Sequence, residues 1–346
     1  MDNPPDRLPR TDARIARALW FEAPGKAVLR QEPLTFDRPA GGEADCMRGP
    51  VLVRALYSGI SRGTEATVFH GLVPDSEHER MRGPHMGGAF PFPVKYGYAM
   101  VGRVEEGPAP LLGRPVFVLH PHQDLFSVPA EAVVPLPPDL PPERAVLAAN
   151  METALNIVWD ALIQPGDRVA VFGAGVVGAL TARLAASIAG TEVLLIDRDL
   201  ERASLAAALG LDFSLADHVE GEFDVVVNAS GSGAALSRAI DLAGPEARLV
   251  EASWYGARSA TLPLGGAFHS RRLAIVSSQV GSIPAHRRAR WSFRRRLDKA
   301  LQLLSDPRLD ALISGESRFA DLAADYPRIV EQAATLCHRI TYPCDR

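Results

Sequence analysis

The sequence predicts an α/β protein in two domains: a β-rich barrel or sandwich first, then a doubly wound parallel sheet. Three observations predict it. Up to about residue 142, short runs rich in Val, Leu and Phe are cut by Gly and Pro, the pattern of short strands between turns. From about Glu143, strand-like and helix-like segments alternate, and such alternation builds a parallel sheet covered by helices. Between the two textures, proline is dense from Pro129 to Pro142. With 346 residues, the chain is long enough to bury both cores.

Residues 1–13 are polar and proline-rich and read as a loose arm. The strand candidates that follow are KAVLRQEPL, PVLVRALYSGIS, KYGYAMVGRV, RPVFVLHP and LFSVPAEAVVPLP. Then ERAVLAANMETALNIVWDAL is apolar at helical spacing. DRVAVFGAGVVGALTARLAASIAG reads as strand, glycine turn and helix, and TEVLLIDRD as a buried strand. ERASLAAALG is a helix ending in Gly, FDVVVNASG a strand, AALSRAIDLAG a helix, and ARLVEASW and LAIVSSQV two more strands. After Ile283 the pattern predicts one long basic helix, a strand near DALISG, a helix from about Leu322 and a last strand, HRITYP.

Composition excludes several classes. Hydrophobic residues make up 47% and charged residues 23%, with a formal net charge of -4. Nothing global draws such a chain to nucleic acid or to an anionic membrane. Only three cysteines occur, Cys46, Cys337 and Cys344, with no C-x-x-C pair. Neither a disulfide framework nor a cysteine-built zinc site is expected. The N-terminus lacks an apolar signal region, and no stretch approaches the roughly 18 apolar residues of a membrane-spanning helix. The expectation is a cytoplasmic protein.

VAVFGAGVVGAL carries Gly173-x-Gly175-x-x-Gly178. The motif alone is weak, but here it follows a strand and opens a helix, and the next strand ends in Asp197, 19 residues after Gly178. That context reads as a dinucleotide site. Gly173 permits the tight turn, Gly175 lets backbone approach a pyrophosphate, and Gly178 lets helix pack on strand. The helix start at Val176 and Val177 offers free N–H groups to phosphate. Asp197 suits ribose hydroxyls and repels a 2′-phosphate, which favours NAD. Arg198 and Arg202 follow closely and keep NADP open.

YSGIS (Tyr57–Ser61), GYAMVGRV, GAGVVG and NASG (Asn228–Gly231) together resemble the medium-chain dehydrogenase/reductase superfamily. The resemblance runs from about Arg14 to Pro343. It implies a GroES-like catalytic domain over 14–146 and 307–346 and a Rossmann domain over 147–306. It also implies an active site in the cleft between them, a homodimer or homotetramer, and cofactor contacts from Ser230 and Ser253. SGISRGTE looks similar to the bacteriochlorophyllide a dehydrogenase branch; other features look like the sorbitol- and threonine-dehydrogenase branch. Zinc members carry Cys where this chain has Ser61, and His-Glu where it has Tyr98-Ala99. Glu152 falls where such members place a third ligand or a supporting acid. A hydroxyl and a phenol are poor zinc ligands at neutral pH, so no zinc is expected.

Without a metal, hydrogen-bond donors must support charge on the reacting oxygen. Tyr98 is the leading candidate, since a phenol is a better acid than base at pH 7. Ser61 and Thr64 are candidate proton relays, and Glu65 and Glu152 the nearby acids. His120 and His122, in VLHPHQD, lack a visible third metal partner, and His122 remains a relay candidate. Each has a plain structural alternative: a packed ring, a turn hydroxyl, an ion pair. Six arginines lie between Arg287 and Arg296. They are either a solvated helix face or an anion site for a carboxylated or phosphorylated substrate.

The expected function is a zinc-independent NAD(P)-dependent oxidoreductase interconverting an alcohol and a carbonyl on a small molecule. The alternatives are an enone or quinone reductase and a non-catalytic NAD(H)-sensing protein.

Overall fold

The computed structural model describes residues 11–37 and 49–343. Cys46, Cys344 and the first ten residues of the expected arm lie outside them. The chain divides into two compact units, Met1–Val146 with Gly315–Arg346, and Leu147–Ser314.

The first unit contains two sheets. β1 (Thr11–Ala23) and β2 (Lys26–Asp37) form a long antiparallel hairpin. β1 therefore starts inside the stretch expected to be a loose arm. The central strand of the larger sheet is β3 (Pro50–Ser61), which runs straight into α1 (Arg62–Phe69). β4 (Gly87–Gly88) and β5 (Val94–Lys95) complete the four-stranded sheet, ordered β2-β1-β5-β4. β6 (Met100–Glu106), β7 (Pro115–Val118), β8 (Leu125–Pro129) and β9 (Val134–Pro135) follow.

KYGYAMVGRV is thus not one strand. Gly97 has φ +131°, and the chain breaks off at Lys95 and resumes pairing at Met100. This conformation is open to glycine and strained for other residues.

The second unit holds α2 (Ala148–Ala161), β10 (Arg168–Phe172), α3 (Val176–Ala185), β11 (Glu192–Asp197), α4 (Arg202–Leu209) and β12 (Asp212–Leu215). β13 (Phe223–Asn228), α5 (Gly233–Leu242), β14 (Ala243–Glu251) and β15 (Ala274–Ser277) follow. The sheet order is β12-β11-β10-β13-β14-β15, with parallel pairing throughout. Counted from β10, this is the 3-2-1-4-5-6 order of the Rossmann fold. Its strands are apolar runs, as sheets covered on both faces require.

The expected long basic helix is two helices, α6 (Ala285–Arg288) and α7 (Phe293–Leu303). Ser292 restarts the helix as an N-cap, its hydroxyl accepting the Arg295 N–H at 3.1 Å.

The chain returns to the first unit at Gly315. Pro307–Leu312 forms a short helix that buries Leu309 and Leu312 in the second unit. Asp306 holds it there through Arg183, 3.3 Å away. In the first unit, β16 (Ile313–Arg318), α8 (Leu322–Glu331) and β17 (Cys337–Thr341) close the larger sheet, ordered β16-β17-β3-β6-β7-β9 with β8 beside β3. Tyr326 of α8 packs against Phe21 and Phe69, ring centroids 4.9 and 5.0 Å away. Its buried hydroxyl belongs to the site described next.

Candidate active site

In the second unit the glycine turn is built as its sequence requires. Gly173 has φ +98°, and a Cβ there would lie 2.8 Å from the Ser230 backbone. A Cβ at Gly178 would lie 1.9 Å from the Gly173 carbonyl oxygen, so only glycine lets α3 sit this close to the turn. Gly175 differs, because a Cβ there would meet nothing within 4 Å. The backbone faces open space at the helix start, where Val176 and Val177 have N–H groups without helical partners. This cradle fits a pyrophosphate.

Asp197 ends β11 beside the cradle. Its Oδ2 accepts the Ala174 N–H at 2.7 Å, and its Oδ1 the Asp199 N–H at 3.1 Å. The carboxylate is therefore aimed across the turn, as a ribose acceptor would be. Arg198 is exposed, and Arg202 lies 4.0 Å from Asp199.

At the ends of β13 and β14 a network missed in the sequence surrounds Glu251. Glu251 accepts from Asn228 Nδ2 at 2.6 Å, the Tyr255 hydroxyl at 3.1 Å and the Ser253 N–H at 2.7 Å. Ser230 donates to Asn228 Oδ1 at 2.6 Å, and Ser253 Oγ accepts the Gly231 N–H at 2.9 Å. Burial, then the Glu251 charge, pushes the Tyr255 phenol up to about 12. Ser230 and Ser253 thus sit in this network at the carboxyl ends of the strands, where such sheets bind ligands.

The first unit gathers the hydroxyls. Tyr98 is half-buried, and its phenol oxygen is hydrogen-bonded by the side chains of Ser61 and Thr64. Burial first, then the negative charge of Glu65, holds its proton well above the ordinary tyrosine range; the two hydroxyl contacts act in the opposite direction. Ser61 is the N-cap of α1, yet its side chain caps nothing.

Glu65 does not stand open as an acid; it is fully buried. Its Oε1 accepts the Ser61 N–H at 3.0 Å, and its Oε2 the Tyr326 hydroxyl at 2.7 Å. His122 Nε2 lies 2.9 Å from the same Oε2. On the other side of the ring, Nδ1 lies 2.8 Å from Ser58 Oγ, which lies 2.9 Å from the Tyr342 hydroxyl. One assignment satisfies every group: Nε2–H donates to Glu65, Ser58 donates to Nδ1, and Tyr342 donates to Ser58. Ser58, Tyr326 and Tyr342 carried no local signal as site residues.

Glu152 and His120 are engaged elsewhere. Glu152, in the second unit, is buried against Arg296, whose Nε is 3.0 Å from its Oε1. This is a structural ion pair, and it removes Arg296 from any anion site. Of the other arginines, Arg295 stacks over Trp291 and Arg287 over Trp159. His120 stacks on Phe126 at 3.9 Å, and burial holds it down at about 3.

The donor set does not suit a tetrahedral zinc. Ser61 and Tyr98 are bonded to each other, Ala99 offers no donor, and Glu65 and His122 satisfy one another. Among the described residues, no group of three His, Cys, Asp or Glu is placed to hold a metal ion.

No family model matches the chain. An uncharacterized zinc-type alcohol dehydrogenase-like protein of Haemophilus influenzae is 26% identical over 144 residues, 38% of this chain and 42% of that protein. Geraniol dehydrogenase of Castellaniella defragrans is 32% identical over 153 residues, 41% of this chain and 40% of its own. The chain thus matches less than half the length of these curated relatives.

Solved structures match along nearly all of it. L-idonate 5-dehydrogenase from Escherichia coli has a TM-score of 0.76 at 14% identity, over 96% of this chain and 99% of that one. A short chain alcohol dehydrogenase from Escherichia coli CFT073, complexed with NADH, has 0.72 at 17%, over 94% and 99%. A zinc-binding dehydrogenase from Sinorhizobium meliloti bound to NADP has 0.70 at 18%, over 95% and 99%. The solved structures share the fold of this chain, a GroES-like unit and a Rossmann unit, and the partial relatives are named as alcohol dehydrogenase-like proteins.

Proposed function

We propose that the chain is an NAD(P)-dependent oxidoreductase that interconverts an alcohol and a carbonyl without zinc. The observation that carries this reading is the Gly173–Gly178 cradle on a sheet of Rossmann order, with Asp197 beside it. Relatives and neighbours named as dehydrogenases, two of the neighbours bound to NADH or NADP, support it. A bound nicotinamide supplies or accepts the hydride.

The chain's own part is to bind and to place the proton. Val176 and Val177 N–H groups hold the pyrophosphate, and Asp197 the adenosine ribose. Ser230 and Ser253 belong to the same binding surface. Ser61 and Thr64 hydrogen-bond the Tyr98 oxygen and orient the phenol. Because burial and Glu65 raise its proton affinity, Tyr98 acts as a donor to a developing alkoxide rather than as a base. In the direction of carbonyl reduction, the Tyr98 phenol would give its proton to the reacting oxygen, and the phenolate would regain one from solvent.

A small-molecule substrate, a dimeric or tetrameric assembly and a cytoplasmic location belong to the same reading. Among the described residues, no helix is long and apolar enough to cross a membrane. Calorimetric titration with NADH, followed by a panel of alcohols, aldehydes and enones, tests the proposal. Binding with alcohol–carbonyl turnover supports it. Turnover of enones alone makes it an enone reductase, and binding without turnover makes it a sensor.

A further inference from the structure

We infer that Glu65 and His122 form a buried positioning couple that fixes the Ser61–Thr64 turn, and with it the Tyr98 hydroxyl, without touching substrate. The inference rests on the reading of Tyr98 given above.

Both side chains are wholly buried, at 0% exposure. Neither meets solvent, so neither serves as an acid or base toward a ligand. Yet five separate segments converge on them: Glu65 from α1, His122 from the β7–β8 loop, Ser58 from β3, Tyr326 from α8, and Tyr342 just past β17. Each Glu65 oxygen has its own task. Oε1 takes the Ser61 N–H, while Oε2 takes His122 and Tyr326. The carboxylate cannot turn without leaving buried donors unpaired, which is costly in a dry site.

The couple holds Tyr98 at two points. At the hydroxyl end, α1 has an unusual start. Its N-cap Ser61 uses its side chain on Tyr98 rather than on the helix, and Glu65 reaches back one turn to take the Ser61 N–H instead. The residue pinned by Glu65 is therefore the one whose hydroxyl meets the phenol. At the backbone end, Gly97 lies directly on the imidazole. A Cβ at Gly97 would be 3.0 Å from His122 Cδ2 and 3.1 Å from Nε2. The chain enters Tyr98 in close contact with His122, and the phenol ends on the turn that Glu65 fixes.

An ordinary stabilising core network would show the same bonds but a different response. The test is hydrogen exchange of the intact protein as wild type, His122→Phe, His122→Gln and Glu65→Gln. Loss of one buried hydrogen bond opens its surroundings by about ten- to a hundredfold. In His122→Phe, exchange at residues 61–64 and 97–99 should rise by at least about tenfold. The remaining strands of the first unit should keep wild-type protection, and NADH affinity should hold. His122→Gln retains a donor toward Glu65 and should restore protection. On any substrate the panel returns, kcat should fall about ten- to a hundredfold with KM little changed, and recover in His122→Gln.

Unchanged exchange at the two segments overturns the inference. So does a rise spread over the whole unit, since the couple would then only stabilise. If His122→Phe does not fold, Glu65→Gln is read by the same two outcomes. If no panel compound turns over, the exchange result still decides the positioning role, and only the oxidoreductase reading fails.

Discussion

Arg296 and Glu152 form an ion pair inside the second unit, with Nε 3.0 Å from Oε1 and both side chains almost wholly buried. Arg296 Nη1 also donates to Asn156 Oδ1 at 2.6 Å, and Nη2 to the Val280 carbonyl. α2 and α7 are thereby locked together through residues 144 positions apart. Removing one partner strands the other charge in a dry environment, at about 3–5 kcal/mol. Glu152→Ala and Arg296→Ala should each lower the melting temperature clearly. Replacing both with methionine should cost much less. Differential scanning calorimetry decides, and unchanged melting in both single variants would show that the pair is idle.

The same pair gives a pH dependence. Burial raises the Glu152 carboxyl above its ordinary value, and Arg296 pulls it only part of the way back. A raised carboxyl keeps its proton longer in the folded state than in the unfolded chain. Its contribution is thus present at low pH and declines as pH rises from the ordinary carboxyl range through the raised value. In Glu152→Gln, urea-unfolding free energies across that window should lose this downward slope. An identical slope in variant and wild type would assign it to other groups.

Two glycines of one motif should respond oppositely. Gly178→Ala places a methyl 1.9 Å from a backbone oxygen, so α3 must shift and stability should fall by roughly 1–3 kcal/mol. Gly175→Ala meets nothing within 4 Å in the protein. It should melt almost as the wild type does, yet bind NADH far more weakly, because the methyl takes the space of the pyrophosphate. Intact NADH affinity in Gly175→Ala would place the pyrophosphate elsewhere.

What was legible in the sequence was local. β3 runs over PVLVRALYSGIS as read, because its apolar run is bounded by Pro and by a helix start. The Gly173–Gly178 turn carries its whole logic within a few residues. β12 leaves little trace in the sequence, because DFSL is short and only half-buried. The basic segment reads as one long helix, and the break comes at Ser292, which caps a new one. Glu65 and Glu152 read in the sequence as nearby acids or as members of structural ion pairs. Their partners, Tyr326 and Arg296, lie 261 and 144 residues away in sequence, and no spacing rule reaches that far.

Cofactor choice follows from Asp197. Its carboxylate is held across the glycine turn by the Ala174 N–H, so a 2′-phosphate would face a fixed negative charge. NADH should bind more tightly than NADPH in calorimetric titration, and Asp197→Ala should narrow the difference by about tenfold or more. Tighter NADPH binding in the wild type would mean that Arg198 or Arg202 sets the preference.

Metal content is a separate expectation. Purification without added zinc should yield less than stoichiometric metal by elemental analysis, and a chelator should leave melting temperature and turnover unchanged. The ground is the donor set itself: Ser61 and Tyr98 are bonded together, and Glu65 is saturated by three donors. One tightly held zinc per chain would overturn the zinc-free reading.

Tyr98→Phe is the sharpest test of the chemistry. The substitution keeps the ring and its edge contact with Tyr96, 6.0 Å between centroids, and deletes only the oxygen. Ser61, which is buried, and Thr64, which is partly exposed, lose a hydrogen-bond partner, and local backbone offers each a replacement. Folding and NADH affinity should therefore hardly change, the latter because the Gly173–Gly178 cradle belongs to the other unit. Turnover should fall by about a hundred- to a thousandfold, the usual effect of removing one donor to a developing oxyanion. KM should move little, since the donor matters most when charge has formed. Thr64→Val offers a graded control. It removes one hydrogen-bond partner that holds the phenol's proton affinity down, which weakens the phenol as an acid, so turnover should fall by less than in Tyr98→Phe. If Tyr98→Phe keeps full activity, the phenol is packing, and the proton comes from Ser61 or from water.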